Sequence, residues 1–447
     1  MGRKKRRAFD RFDAVLLGIV AAALLWRVGY VLAQQDDPFT GDGGGYYTQA
    51  VLLGEGHGFI NTDAYGFTVA THVVRPMAIP TADHPPAWPV VMASLSLVGI
   101  RDMLAHQLFA AGVGALTVGM VGLTARRIFG VRAGLIAAAI AAVYPNFWLY
   151  ERLMLSETLT FLVVAVLCFV TYGFLAEPTR RGAVALGVAC AVVVLTRAEA
   201  VLLLVGLLAP LLWARRELDR STRLRWLGLA AGAAVLTIMP WSLYNSARFD
   251  RPVVVTTSLG ATVSSANCDA VYDGPNIGWW SVWCLWHSKG SVDGHADAAA
   301  QDAEMTGIGL RYANNHLHRL PAVVAAREGR AWSLYQPFRQ AELDEVSGPT
   351  RTVSILGVWA FWLVAIAAVG GAVVAHRRGI PLYPFAALSL TVVLSVAITI
   401  GQPRYRALAE VPIVLLAAVG IDQVSRAMAT GASRTWRSTR PPPTRSA

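Results

Sequence analysis

Ten long apolar segments recur along this 447-residue chain and constrain its fold more than any other feature. A helix of about 20 apolar residues spans the hydrocarbon core of a bilayer, and a soluble core could not bury so much apolar sequence. Hydrophobic residues make up 55% of the chain, charged residues only 15%, and the mean hydropathy is +0.47. The sequence therefore predicts an all-α polytopic membrane protein with about ten transmembrane helices. Their expected positions are 14–33, 104–125, 133–150, 159–176, 183–196, 200–213, 226–243, 353–375, 380–400 and 407–424.

Arginines between these segments predict the orientation. If both termini lie in the cytoplasm, every cytoplasmic turn is basic, as the positive-inside rule requires of short loops. The net charge of +11 is dispersed among such turns, which argues against a folded basic face that binds nucleic acid. The turns contain Arg126, Arg127, Arg132, Arg180, Arg181, Arg215, Arg216, Arg220, Arg223, Arg225, Arg377 and Arg378.

Both ends of the chain are expected to be basic cytoplasmic segments. Residues 1–13 look like the start of a signal peptide, but the apolar run that follows is long enough to span and has no small-residue cleavage site after it. Residues 425–447 are basic and rich in proline, which predicts a disordered tail.

The first outer loop, residues 34–103, includes an apolar segment whose placement is open. Residues 87–100 would form only about 21 Å of helix, which is too short to span comfortably. As a juxtamembrane helix at the outer surface, this segment preserves the charge pattern. As a crossing, it would move Arg126 and Arg127 to the outside.

The remaining chain divides into three regions. We expect a membrane catalytic region at 14–245, a small extracytoplasmic domain at 246–350 between the seventh and eighth helices, and C-terminal transmembrane helices at 351–424. The polar segment 246–350 is too long for a passive connector and has its own aromatic residues and cysteines.

Two cysteines of that segment, Cys268 and Cys284, lie on the oxidising side of the membrane, which predicts a disulfide. A zinc site that includes His287 is the alternative. The tryptophans around Cys284 suit either an interfacial aromatic belt or stacking against sugar rings.

The stretch Gly41–Tyr47 places a carboxylate, Asp42, on a glycine-rich segment directly after the first apolar run. Glycine removes side-chain bulk, so a ligand can approach such a carboxylate closely. A second marked stretch, Asp83–Pro89, lies in the same outer loop. We therefore expect Asp42 to be the centre of an active site at the membrane boundary.

Further ionisable groups fall at the predicted outer ends of the helices. They are Arg27, Glu157, Arg197, Glu199, Arg404 and Arg406. Any one arginine near a helix end could extend to water instead, but charges at membrane depth usually mark function. Together these groups predict a pocket with both acidic and basic side chains at the outer boundary.

Such a pocket suits sugar transfer from a lipid-linked phosphate. Guanidinium groups match phosphate oxygens in charge and geometry, so Arg197, Arg404 and Arg406 are candidates to hold the donor. A carboxylate such as Asp42 can take the proton of an acceptor hydroxyl. A nucleotide donor fits poorly because the pocket faces away from the cytoplasm. A polyprenyl-phosphate sugar in the membrane fits this geometry.

The chain also resembles the GT-C membrane glycosyltransferases, in the branch of protein O-mannosyltransferases and the aminoarabinose transferase of lipid A. The matching motifs are Gly41-Asp42 with Tyr46 and Tyr47, His84-Pro85-Pro86 with Trp88-Pro89, Ala125-Arg126-Arg127-Ile128-Phe129-Gly130, Tyr144-Pro145, Ser156-Glu157, Leu195-Thr196-Arg197, Pro240-Trp241 with Asn245, and Pro403-Arg404-Tyr405-Arg406.

The resemblance implies a polyprenyl-phosphate sugar donor and an active site on the extracytoplasmic face of the cell membrane. It makes Asp42 and Glu157 the acidic catalytic candidates, and His84 and Tyr405 further substrate-binding candidates. Capping of a helix N-terminus is the structural alternative for Glu157. A divalent metal is compatible with the sequence but not required by it.

One position departs from the family pattern. Protein O-mannosyltransferases have a second acidic residue beside the first-loop aspartate, whereas Gly43 follows Asp42 here. This difference argues against assigning a protein acceptor, and a cell-envelope glycan, a lipid or a protein all stay open. A transporter or flippase of a lipid-linked substrate is the alternative function, and a non-catalytic binding protein is a third.

Overall fold

The computed structural model describes residues 11–34, 41–62, 79–214, 217–292, 294 and 297–438. Most of the basic N-terminal segment, two parts of the first outer loop and residues 439–447 lie outside these ranges. Within them the chain is helical, and its β-structure is a single isolated bridge between Ile60 and Pro80. The expected all-α class is confirmed.

The described residues form nineteen α-helices, which alternate between long apolar helices and shorter ones near the loops. They are α1 Arg11–Ala33, α2 Asp42–Gly54, α3 Ala87–Leu97, α4 Met103–Phe129, α5 Val131–Val143, α6 Pro145–Arg152, α7 Glu157–Ala176, α8 Arg180–Val194, α9 Ala209–Trp213, α10 Arg220–Ser246, α11 Leu259–Ala266, α12 Asp269–Tyr272, α13 Val282–Ser291, α14 Ala298–Asn315, α15 Leu320–Ala331, α16 Pro337–Asp344, α17 Arg351–Arg377, α18 Tyr383–Ile398 and α19 Ala407–Ser438.

Six helices in the described ranges are long and apolar enough to cross a membrane, and the bent pair α5–α6 makes a possible seventh. The chain is a multi-pass membrane protein, but the expected count of ten spans is not confirmed. The difference lies in α8, in α18 and in the segment between α8 and α10. Helix α8 has 15 residues and α18 has 16, about 23–24 Å each, which is less than the bilayer core. Residues 198–213 are apolar but mix 3₁₀, π and α turns.

The helix bundle packs through small residues. A methyl group added at Gly371 of α17 would overlap the carbonyl oxygen of Leu416 on α19, and one added at Gly187 of α8 would overlap the carbonyl oxygen of Ala230 on α10. Small residues allow membrane helices to approach this closely. Close packing increases the van der Waals contacts between the helices, which matter in lipid because the hydrophobic effect does not drive helix association there. The start of α7 and the end of α8 thereby come close to the turn before α19, on the side predicted to be outside, which we call the outer side.

Helix α19 differs from expectation at its C-terminal end. Residues 425–447 were expected to be disordered, yet α19 continues to Ser438. The helix persists because Met, Ala and Arg in this part are good helix formers, and the prolines that would break it begin only at Pro441. The rest of the predicted tail lies outside the described residues.

Residues 247–350, which we call the outer segment, form six short helices, α11 to α16. Cys268 and Cys284 are joined by a disulfide across 16 positions, which removes both sulfurs from the alternative zinc site. Cys168 and Cys190 are free thiols buried in α7 and α8.

The outer segment docks on the membrane helices through backbone contacts. Gly401 donates its N–H to the Gly278 carbonyl at 3.0 Å, and Arg327 donates to the Ala397 carbonyl at 2.9 Å. A Cβ at Gly401 would lie 2.5 Å from the Arg327 Cα, so glycine is required for this approach. The outer segment is thereby fixed beside the turn that carries Arg404.

Candidate active site

Asp42 is the first residue of α2, where the preceding Gly41 has a φ of 78°. This left-handed conformation favours glycine because it has no Cβ. The partial positive charge of a helix N-terminus favours a carboxylate at that position. The side chain of Asp42 is 42% exposed, so a ligand can reach it.

Arg404 joins Asp42 to Glu157. Its Nη2 donates to Asp42 Oδ2 at 2.7 Å, and its Nε donates to Glu157 Oε1 at 3.0 Å. The Arg404 side chain is 13% exposed and that of Glu157 is fully buried. The two acidic candidates from distant motifs therefore share one guanidinium group.

Arg197 supplies a second guanidinium on the other side of Glu157. It donates to Glu157 Oε1 at 3.0 Å and to Glu199 Oε1 at 2.8 Å. Its guanidinium carbon lies 5.3 Å from the centroid of the Tyr405 ring, within the range of a cation–π contact. Five side chains thus form a continuous row of alternating charge: Asp42, Arg404, Glu157, Arg197 and Glu199. We refer to these five residues as the charge network.

Snorkelling to water does not describe the buried arginines at these helix ends. Arg197 and Arg404 are held in the charge network, and Arg27 is 1% exposed and donates to Glu151 at 2.8 Å. Helix capping does not describe Glu157 either. It opens α7, but its preceding residue Ser156 makes no side-chain capping bond, and the Glu157 carboxylate faces the two arginines.

His84 and Tyr46 form the wall of the site beside Asp42. Their rings stack with centroids 4.4 Å apart and an interplanar angle of 28°. Trp88, four positions after His84, is fully buried and donates its indole N–H to the Met154 carbonyl at 2.6 Å. The Ala87 N–H donates to the Leu195 carbonyl at 2.9 Å. Backbone contacts thus fix this loop motif against the turn before α7 and the end of α8.

The charge network lowers the pKa of its exposed carboxyl group, Asp42. Loss of hydration raises the pKa of Asp42, but Arg404, His84 and Arg197 outweigh it and lower the pKa to about 2. Burial, together with the negative charges of Asp42 and Glu157, raises the pKa of Tyr46. Asp42 is therefore ionised at neutral pH, and it is a weak base for as long as Arg404 holds it.

Arg406 lies apart from the charge network. Its guanidinium donates to Glu410 at 2.6 Å, to the Ala331 carbonyl at 2.7 Å and to Ser333 at 2.8 Å. It also lies over the Phe361 ring. Its Nε and Nη1 donors are used within the protein, so this geometry does not support the expectation that it holds substrate phosphate beside Arg404. Sequence spacing could not separate the two arginines, because a 3₁₀ turn at Pro403–Arg406 directs them to different neighbours.

The side chains around Asp42 include few groups that could bind a metal. In the part of the chain that the structure describes, no group of three or more His, Cys, Asp or Glu residues could hold a metal ion. Glu157 Oε2 is buried without a hydrogen-bond partner there, but the other oxygen of this carboxylate is already paired with two arginines. The present side chains fit an anion between guanidinium groups better than a cation.

Comparison with known proteins places this arrangement in context. Residues 83–244 match the family described as dolichyl-phosphate-mannose-protein mannosyltransferase. The oligosaccharyltransferase AglB from Archaeoglobus fulgidus, in complex with an inhibitory peptide and a dolichol-phosphate, aligns over 94% of this chain with a TM-score of 0.52 and 13% identity. The same archaeal enzyme tethered to an acceptor peptide aligns over 93% with a TM-score of 0.54 and 12% identity.

The chain has the GT-C fold. It covers 51% and 50% of the two AglB chains, so it spans about half the length of these structures. ArnT from Cupriavidus metallidurans bound to undecaprenyl phosphate aligns over 92% of this chain and 77% of its own, at 15% identity and a TM-score of 0.41, below the level that establishes a shared fold. No curated protein matches this chain in sequence.

Several contacts of the site could not be predicted from the sequence. Glu199 and Tyr46 lie in motifs noted above, but their contacts with Arg197 and His84 depend on tertiary packing. Asp344 lies in the outer segment, and its carboxylate accepts from Gln402 at 2.8 Å, two residues from Arg404. No motif or periodicity distinguishes Asp344 from the other acidic residues of that segment.

Proposed function

We propose that this chain transfers a sugar from a polyprenyl-phosphate carrier to an acceptor hydroxyl at the extracytoplasmic face of the cell membrane. The observation that carries the proposal is the shared guanidinium of Arg404, which contacts both Asp42 and Glu157. The GT-C fold and the family match, whose description names a dolichyl-phosphate-linked sugar, support the same donor class.

The donor phosphate competes with Asp42 for Arg404. The phosphodiester of a polyprenyl-phosphate sugar carries one negative charge, as a carboxylate does, and its two free oxygens can accept two parallel N–H bonds from arginine. Glu157 stays between Arg197 and Arg404 and keeps both guanidinium groups oriented. Once the phosphate has taken the Arg404 Nη2 donor, Asp42 loses the main partner that lowers its pKa and becomes a stronger base.

Transfer then proceeds by a single displacement at the anomeric carbon. The acceptor oxygen forms a bond to that carbon while the bond from the carbon to the phosphate oxygen breaks. The hydroxyl proton passes to Asp42, and the polyprenyl phosphate leaves with the bonding electron pair, stabilised by the arginines. Gly43 follows Asp42 where a second acid would point to a protein acceptor, so the acceptor is assigned only as a hydroxyl group.

A transfer assay with a substitution that removes the negative charge of Asp42 but keeps the shape of its side chain tests this function. Membranes are incubated with radiolabelled mannosyl, glucosyl and arabinosyl undecaprenyl phosphates, and label in acceptor fractions is measured for wild type and Asp42→Asn. We expect a loss of about 10²–10⁴-fold in the variant, the usual contribution of a general base. Asp250→Asn, which changes an exposed carboxylate of the outer segment, is the matched control. Wild-type rates in Asp42→Asn would rule out the base assignment. Movement of the intact lipid-linked sugar across vesicles without transfer would favour a flippase.

A further inference from the structure

A small cavity lies next to the charge network, and Arg404 is one of the residues that line it. It is enclosed by α6, α16, the start of α17 and the turn at residues 402–406, and its volume is about 40 Å³. A cavity of about 10–15 Å³ already holds one water molecule. This cavity therefore has room for a hydroxyl or hydroxymethyl group.

The most polar wall of the cavity is a carboxylate held by two amides. Asp344 Oδ1 accepts from Gln340 Nε2 at 2.7 Å and from Gln402 Nε2 at 2.8 Å. Gln340 is itself oriented, because Arg330 donates to its carbonyl oxygen at 2.9 Å. None of the hydrogen bonds found within the described ranges involves Asp344 Oδ2. The carboxylate is thus fixed in place with one oxygen left to accept a bond from a ligand.

A tyrosine hydroxyl faces the same space without a partner. Tyr150 lines the cavity from α6 and is only 7% exposed. Its hydroxyl makes no hydrogen bond to any residue that the structure describes. A hydroxyl of a cavity-lining residue that has no protein partner is available to a ligand or to water. Tyr150 can donate to and accept from a sugar hydroxyl.

We propose that this cavity binds a hydroxyl-bearing group of the donor sugar, with Asp344 and Tyr150 as the hydrogen-bonding partners. The proposal rests on the function proposed above. It follows from the position of Arg404, which contacts Asp42 and Glu157 on one side and lines the cavity on the other. A donor whose phosphate is bound by Arg404 has its sugar within one ring length of the cavity. Leu149, Leu153 and Leu155 form an apolar wall against which the carbon skeleton packs.

The composition of the wall gives the cavity a role in sugar choice. The family match ends at residue 244, whereas Gln340, Asp344 and Gln402 lie beyond it. Tyr150 and the leucines lie inside it. The cavity is therefore assembled from one wall inside the residues that match the family and one wall outside them. Polar groups fixed in a buried site discriminate strongly against an analogue that lacks the matching hydroxyl.

Asp344 is suited to accept a hydrogen bond at neutral pH. Burial raises its pKa to about 6, although Gln402 and Gln340 donate to it and Arg404 and Arg406 lie near it. At pH 7.5 it is mainly ionised, and hydrogen bonds to ionised acceptors are stronger than those to neutral ones.

Binding to the full-length protein in lipid nanodiscs tests the inference without relying on transfer. The probes are undecaprenyl phosphate alone and its mannosyl, 6-deoxymannosyl, glucosyl and arabinosyl derivatives. We expect at least one sugar to bind wild type about tenfold more tightly than the bare carrier, and Tyr150→Phe and Asp344→Asn each to remove most of that gain. Both variants keep the bare-carrier affinity. Tyr312→Phe, on α14 and away from the cavity, keeps the sugar gain.

Two outcomes overturn the cavity assignment. One is that both variants retain the full gain, and the other is that no sugar improves wild-type binding over the bare carrier. In either case, retention of bare-carrier binding that depends on Arg404 leaves the proposed function standing. Failure of wild type to bind the bare carrier overturns both proposals.

Discussion

Arg404 and Asp42 are 362 positions apart in the chain and are joined by a hydrogen bond of 2.7 Å. The contact brings the loop after the first membrane helix against the turn before the last one. Because Glu157 shares the same guanidinium group, three separate parts of the sequence meet at one side chain. The geometry makes Arg404 the residue whose loss should affect donor binding most.

We expect Arg404→Ala to raise the donor concentration needed for half-maximal transfer by about tenfold or more, because a charge-assisted bidentate contact to phosphate is lost. Arg404→Lys should retain more of the donor affinity than Arg404→Ala but less than wild type, since lysine keeps the charge without the planar, two-donor geometry of arginine. Donor titrations of transfer measure the effect. Arg311→Ala removes an exposed arginine of the outer segment and should leave the titration unchanged. An unaltered donor dependence in Arg404→Ala would remove Arg404 from the phosphate site.

The loss of donor affinity at acidic pH should follow the protonation of Asp344 and not that of Asp42. The pKa of Asp42 is lowered to about 2, so its carboxylate stays ionised throughout the working range. The pKa of Asp344 is raised to about 6, so wild-type affinity for the glycosylated carrier should fall as the pH drops below 6. Binding titrations from pH 5 to pH 8 should show this decrease in affinity in wild type and not in Asp344→Asn. The same decrease in the variant would show that another group causes it.

Asp344→Asn should also fold at least as stably as wild type at pH 7.5. A carboxyl group whose pKa is raised on folding binds more protons in the native state than in the unfolded one. Its contribution to stability is therefore most favourable below its unfolded pKa and declines as the pH rises through about 6. Thermal unfolding in nanodiscs at pH 5 and pH 7.5 measures this. A variant that is less stable than wild type only at the higher pH would contradict the sign.

Gly401→Ala should weaken the docking of the outer segment. The added Cβ would lie 2.5 Å from the Arg327 Cα and 2.6 Å from the Gly278 carbonyl oxygen, and backbone atoms cannot move aside at low cost. We expect a destabilisation of about 1–3 kcal/mol, read as a lower thermal midpoint and faster proteolysis of residues 247–350. Gly290→Ala, where nothing lies within 4 Å of the added atom, is the matched control. Equal behaviour of the two variants would refute the close approach.

The disulfide should contribute about 3 kcal/mol to the stability of the outer segment, the value expected for a loop of this length. Cys268→Ser combined with Cys284→Ser should therefore lower the thermal midpoint. In the wild-type protein, unfolded without reductant, thiol reagents should label only Cys168 and Cys190. Labelling of four cysteines before reduction would show that the bond is absent.

The sequence was sufficient for the helical class, the membrane location and most partners of the charge network. Long apolar runs impose helices in lipid, and charges at helix ends stand out against them. It was insufficient where helix geometry decides the outcome. The segment 198–213 is as apolar as a span but mixes three kinds of helical turn. Arg404 and Arg406 are two residues apart, yet only Arg404 contacts Asp42.

The cavity beside Arg404 was invisible in the sequence for a different reason. Tyr150, Asp344 and Gln402 come from three distant segments, and each alone is an ordinary polar residue. Among the described residues, packing leaves Asp344 Oδ2 and the Tyr150 hydroxyl without a protein hydrogen-bond partner, while Gln402 holds the other oxygen of Asp344. Only coordinates reveal such an absence.

The joining of Asp42 to Arg404 has a consequence for biosynthesis. A membrane protein is inserted from its N-terminus onward, so Asp42 emerges hundreds of residues before the arginine that it pairs with. A nascent chain that stalls before α19 has been made carries the carboxylate but not its partner, and Glu157 then has only Arg197. Incomplete chains in the membrane therefore present half of an anion site. The proposed phosphate site is therefore complete only once the turn before α19, which carries Arg404, has been made.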